Sequence, residues 1–130
     1  DDINMQMMKM DLLLNKINDQ KAAAACGDAL AKANWDTPGL LNALSWNTIT
    51  TEGISDALKV YATDWAARAD ELTEHANSSI IDTLARCYFV RGDVQKAIEL
   101  QKDAIAASDP SQTKGLKDTL DEYKAALDKV

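Results

Sequence analysis

Apolar residues recur along this chain at the three- and four-residue steps of an α-helix, and turn-forming residues interrupt them at short intervals. Ile3, Met7, Met10, Leu14 and Ile17 line one face of a first helix. Lys21 to Ala33 is nearly all small or helix-favouring, and its alanines allow a neighbouring helix to come close, while Gly27 weakens it slightly. Thr37 followed by Pro38 is a start signal for a third helix running to about Thr51. Gly53 breaks the pattern, and Ser55 caps a longer helix striped by Leu58, Ala62, Trp65, Ala69, Leu72 and Ala76, ending near His75.

Asn77, Ser78 and Ser79 supply the next cap, with Asp82 three positions after Ser79 as in a capping box. The helix they open ends near Val90. Gly92 is placed to end it in a left-handed conformation, and Asp93 to cap a helix carrying Ala97, Ile98, Gln101, Ala104 and Ile105. Asp109 and Pro110 restart the chain, and Leu116, Leu120, Tyr123 and Leu127 stripe a last helix. The expected fold is all-α: one domain over residues 1–130 of stacked antiparallel helix pairs at about 3–33, 38–75 and 79–107, closed by a capping helix at about 113–129.

A shift of 40 residues lays Asn42-Ala43-Leu44-Ser45-Trp46 on Asp82-Thr83-Leu84-Ala85-Arg86, and Asp56-Ala57-Leu58 on Lys96-Ala97-Ile98. The two middle pairs are versions of one unit, and such units bury their apolar faces by stacking on neighbours. Leu84-Ala85, Tyr88, Gly92-Asp93, Ala97-Ile98 and Ala104 resemble a tetratricopeptide unit over Ser78 to Asp109. The family unit runs about 34 residues, shorter than the offset here. In the earlier unit Thr48 and Asp64 stand where Tyr88 and Ala104 stand in the later one.

Leu41-Asn42-Ala43-Leu44-Ser45-Trp46 and Ile81-Asp82-Thr83-Leu84-Ala85 are similar to helical segments that follow thioredoxin-like domains in some bacterial proteins, over about Gly39 to Ala107. That resemblance implies an accessory or dimerisation role beside a thiol redox domain, and a periplasmic or cell-envelope setting. No C-x-x-C pair occurs, so redox activity does not carry over. The tetratricopeptide resemblance implies a right-handed superhelix. Its concave side would fall at Asn42, Trp46 and Ile49 in one unit and at Asp82, Arg86 and Phe89 in the next. Trp and Arg are enriched at binding hot spots, although large aromatics at helical spacing also pack inward.

Composition narrows the function. Fourteen basic against 21 acidic side chains give a net charge of −7, which repels phosphate backbones and anionic membranes, so no nucleic acid partner is expected. No apolar run reaches the roughly 20 residues that span a bilayer, so a soluble chain without membrane insertion is expected. A start at aspartate rather than methionine suggests a processed protein or an excised domain.

Cys26 and Cys87 read as small buried hydrophobes, and a disulfide requires their helices to touch. The lone His75 follows Glu71 by four residues, a spacing that seeds metal sites. A helix C-terminus favours the same residue for its charge, and no metal is expected. Carboxylate spacings are those of solvated helix faces, and no nucleotide-binding or hydrolase motif occurs. The expectation is a non-catalytic interaction or scaffold module with no cofactor and a protein, peptide or upstream domain as partner. Met5, Met8 and Leu12 add a second apolar face to the first helix. Either that helix is deeply buried, or this face meets an upstream domain or a second copy as a homodimer.

Overall fold

The computed structural model describes residues 2–129, and among these the chain forms seven α-helices and no strand. They are α1 (Ile3–Asn15), α2 (Gln20–Ala33), α3 (Pro38–Ile49), α4 (Asp56–Leu72), α5 (Ser78–Val90), α6 (Val94–Ala107) and α7 (Pro110–Asp128). Short turns make successive helices antiparallel neighbours. The pairs α1/α2, α3/α4 and α5/α6 pack tightly, α4 joins α5, and α7 closes on α6. Contacts of α1 with α3, α2 with α4 and α3 with α5 stack one pair on the next.

Small residues set how close the stack can be. Ala23, Ala31, Ala62, Ala66, Ala69, Ala85, Ala97 and Ala104 are all fully buried, so backbones approach where larger side chains would hold them apart. Gly27 is the extreme case. A Cβ there would lie 2.6 Å from Trp65 Cη2 and 2.7 Å from Met10 Cε. The glycine expected to weaken α2 is therefore a notch that seats the largest buried side chain of the core. The two fully buried hydroxyls of α3 are bonded: Ser45 Oγ donates to the Ala62 carbonyl at 2.7 Å, and Thr48 Oγ1 to the Leu44 carbonyl at 2.8 Å, whereas the buried Asn42 Oδ1 has no partner.

Helix ends depart from the expected boundaries for local reasons. Helix α3 stops at Ile49, and the Thr50 and Thr51 hydroxyls turn back to the Trp46 and Asn47 carbonyls at 2.6 and 2.7 Å. Thr37 precedes Pro38 as expected but makes no side-chain cap bond. Helix α4 stops at Leu72, and Glu74 and His75 follow with φ of 56° and 55°. Ala76, at the end of the expected stripe, is exposed. Two non-glycine residues in the left-handed region cost about 1–2 kcal/mol each, so this corner needs a compensating tie.

Asn77 alone caps α5 by accepting from Ile80 N–H at 3.1 Å; the proposed Ser79–Asp82 box does not form, because Asp82 faces α6. Gly92, at φ 92°, ends α5 and Asp93 caps α6 as the pattern implies. Helix α7 begins at Pro110, earlier than expected, behind a capping box between Asp109 and Gln112.

The first helix splits its apolar residues between two surroundings. Met10 and Leu14 are buried, but Ile3 is 41% exposed, and Ile17 lies past the helix end at 65% exposure. Met5, Met8 and Leu12 are 67%, 66% and 48% exposed, so the second face is not buried within this domain.

Candidate functional site

An open groove of about 590 Å³ lies between α3 and α5 under the turn that joins α3 to α4. Trp46 and Ile49 from α3 and Arg86 and Val90 from α5 form its walls, Lys59 enters from α4, and Thr50 to Ile54 form its rim. Gly53, at φ 78°, folds that rim over. The Gln20 amide fixes it from α2 by donating to the Gly53 carbonyl and accepting from Ser55 N–H.

Three of the six residues expected to face a partner thus meet in one groove, with different burial. Trp46 is 38% exposed and presents part of its indole to solvent. Ile49 is only 2% exposed, so it serves mainly as core and shows the groove little more than an edge. Arg86 is largely occupied within the fold. Its Nη1 and Nη2 donate to the two carboxylate oxygens of Glu122 at 2.9 and 3.2 Å, and its guanidinium carbon lies 5.0 and 5.5 Å from the ring centres of Tyr123 and Phe89.

The other three residues lie outside the groove lining. Phe89 stacks on Tyr123 with ring centres 4.4 Å apart, which joins α5 to α7. Asp82 accepts from Gln101 Nε2 at 2.9 Å, and the same amide nitrogen reaches the Leu116 carbonyl at 3.2 Å, so one buried glutamine ties α5, α6 and α7. Burial raises the Asp82 carboxyl above its ordinary range, while the Gln101 bond and Arg86 oppose that rise. Burial likewise pushes the Tyr123 phenol up, against the pull of Arg86. Asn42, the counterpart of Asp82, is half buried and has Tyr61 where Gln101 would be; Tyr61 stacks on Trp65 instead, at 6.0 Å.

The sequence reading missed Gln101, Glu122 and Tyr123 as the groups that occupy α5. The signal was faint: Gln101 sat on an expected apolar stripe, where a polar residue implies a bonded partner, and its Nε2 has two, whereas the buried Tyr123 hydroxyl has none.

Both cysteines are free thiols in different surroundings. Cys26 Sγ lies 3.9 Å from the Gln6 carbonyl, whereas Cys87 is fully buried 3.4 Å from Ser45 Oγ. Burial pushes the Cys87 thiol up to about 11, against the bonds from Ser45 and Thr63, so it stays protonated and unreactive at neutral pH. His75 does not pair with Glu71, which binds Arg68. Its Nδ1 lies 2.7 Å from Asp70 Oδ2 and its Nε2 3.0 Å from Asp103 Oδ2. Both ring nitrogens face carboxylates, and the bonds to Asp103 and Asp70 raise its pKa. Among the described residues no group of three His, Cys, Asp or Glu side chains is arranged to hold a metal ion, and no helix is long and apolar enough to cross a membrane.

Comparison with family models, with curated proteins and with solved structures finds no match to this chain.

Proposed function

We propose that the chain is a non-catalytic protein-interaction domain of tetratricopeptide-like stacking that holds a peptide or partner protein in the groove between α3 and α5. The observation that carries this reading is the half-exposed Trp46, set in a concave, mostly apolar surface of about 590 Å³ beside Ile49 and Val90. Aromatic anchors in such settings supply a disproportionate share of binding energy.

A display library of random peptides, selected on the wild-type protein and counter-selected on Trp46→Ala, tests it. Selected ligands should lose at least about tenfold in affinity on Trp46→Ala, as a hot-spot residue does. The far-ultraviolet circular dichroism of the variant should stay unchanged. Arg86→Ala should weaken them less, because Glu122 already holds the guanidinium. A selection that yields no Trp46-dependent ligand sinks the groove assignment.

A second reading, an accessory or dimerisation segment of a thioredoxin-like protein, rests on the resemblance over Gly39 to Ala107 and draws on the exposed Met5, Met8 and Leu12 face. Reading the gene upstream of Asp1 decides it: a C-x-x-C-bearing domain supports this role, and the lack of one removes it.

A further inference from the structure

The groove at Trp46 is one end of a longer surface. A second depression of about 450 Å³ between α1 and α3 shares Thr50 with it, and a third of about 360 Å³ on the outer side of α1 shares Met8 and Leu12 with the second. The three form a continuous track across α5, α3 and α1. Met5, Met8, Leu12, Ile17 and Trp46 account for much of the exposed large apolar surface, and all five line it.

Its charges are also ordered. Along the track Arg86 and Lys59 pair with Glu122 and Asp56, while Asp11 accepts a hydrogen bond from the neutral Asn15 amide and has no ionic partner among the described residues. Lys9 at the α1 end and Glu52 on the rim of the Trp46 groove at the other also line the track without an ionic partner among the described residues. A ligand that fills the track therefore meets a cation without an ionic partner at one end, a carboxylate without one at the other, and between them a mixed surface in which Met7, Met8 and Leu12 lie beside Asp11, Asn47 and Thr50.

Resting on the groove reading above, we infer that the track takes one amphipathic helix with an acidic residue near Lys9 and a basic residue near Glu52. The described fold offers no strand edge to an extended peptide, whereas a helix pairs most of its own backbone groups and presents a side-chain stripe to an open groove. Two steps between helix axes of about 9 Å each set the length, which corresponds to roughly 12 helical residues. Methionine at the α1 end suits such a contact because its side chain adapts to the shape it meets. A second copy of the chain fits less well. A two-fold antiparallel pairing about the middle of α1 sets Lys9 against its own counterpart.

Three fluorescein-labelled 12-residue peptides with the same leucine stripe test this, measured by anisotropy: one with glutamate at one end and lysine at the other, one with glutamate at both ends, one with lysine at both. The mixed peptide should bind about fivefold tighter than either uniform one, as expected for one exposed ion pair gained in place of a repulsion. Lys9→Glu should move the preference to the lysine-ended peptide. Met8→Glu, at a solvent-facing position the fold tolerates, should weaken binding about tenfold, as should Trp46→Ala. If Trp46→Ala weakens binding and Met8→Glu does not, the long track is wrong and the groove reading stands. If neither matters, both fall. Concentration-dependent dimers in sedimentation, abolished by Met8→Glu, would overturn the helical partner in favour of a second copy.

Discussion

The pairs α3/α4 and α5/α6 share a 40-residue pattern and a buried frame, yet they present different surfaces. Leu44 and Leu84 are both buried, as are Ser45 and Ala85, and Leu58 and Ile98. At the next equivalent position Trp46 faces solvent, whereas Arg86 is locked to Glu122 under the aromatic pair Phe89 and Tyr123. Helix α7 makes that difference. It engages α5 through Glu122 and Tyr123, while α5, which packs on α3 in turn, leaves Trp46 38% exposed, so an equivalent register position is scaffold in one pair and open wall in the other. A repeat therefore specifies which side chains point inward, and the neighbour in the stack specifies which of the rest remain free.

The largest expected effect concerns what seats the earlier pair against α2. Gly27→Ala gains about 1 kcal/mol of helix propensity, yet its Cβ falls 2.6 Å from the rigid end of the buried Trp65 indole. Overpacking of that kind costs about 1–3 kcal/mol. Urea unfolding should show net destabilisation, and a stabilised variant would show that α2 can move away from Trp65.

Next in size is the asymmetry itself. In a double-mutant cycle, Arg86→Ala with Glu122→Gln should couple by about 1 kcal/mol, as contacting residues do, whereas Trp46→Ala with Glu122→Gln should add within about 0.5 kcal/mol. Equal coupling in the two cycles would erase the distinction between the sealed and the open pair.

The smallest effect is a pH-dependent tie between the pairs. His75, at the left-handed corner after α4, bonds Asp70 and reaches Asp103 on α6. A neutral imidazole has one N–H, so it takes the cation to donate to both carboxylates. The folded pKa is raised above the ordinary 6.5. The stabilisation is then fully present below that unfolded value and is lost as pH rises through the higher folded value. The ring is 43% exposed, so solvent screening keeps the effect to roughly 0.5 kcal/mol. Denaturation at pH 5.5 and pH 8.5, roughly a unit or two on either side of the ordinary histidine value, should show that loss in the wild type and not in His75→Gln. A pH difference that survives His75→Gln would place it elsewhere.

Helix periodicity and turn chemistry were enough to make all seven helices legible. Gly53, Ser55, Gly92, Asp93 and Pro110 act where their conformational preferences put them, because caps and turns are decided within a few residues of chain. The core stripe of α4 was legible for the same reason, from Leu58 to Ala69. Three-dimensional neighbours alone decided that Gly27 is a notch for Trp65, that Asp82 turns from a cap to Gln101, and that His75 ties two helices rather than pairing with Glu71. They also decided that α7 withdraws Arg86 and Phe89 from the surface while Trp46 and Met8 stay on it. Local sequence fixes which way a side chain points from its own helix; whether that direction meets water, a carboxylate or another ring depends on residues some 20 to 40 positions away, brought there only by packing.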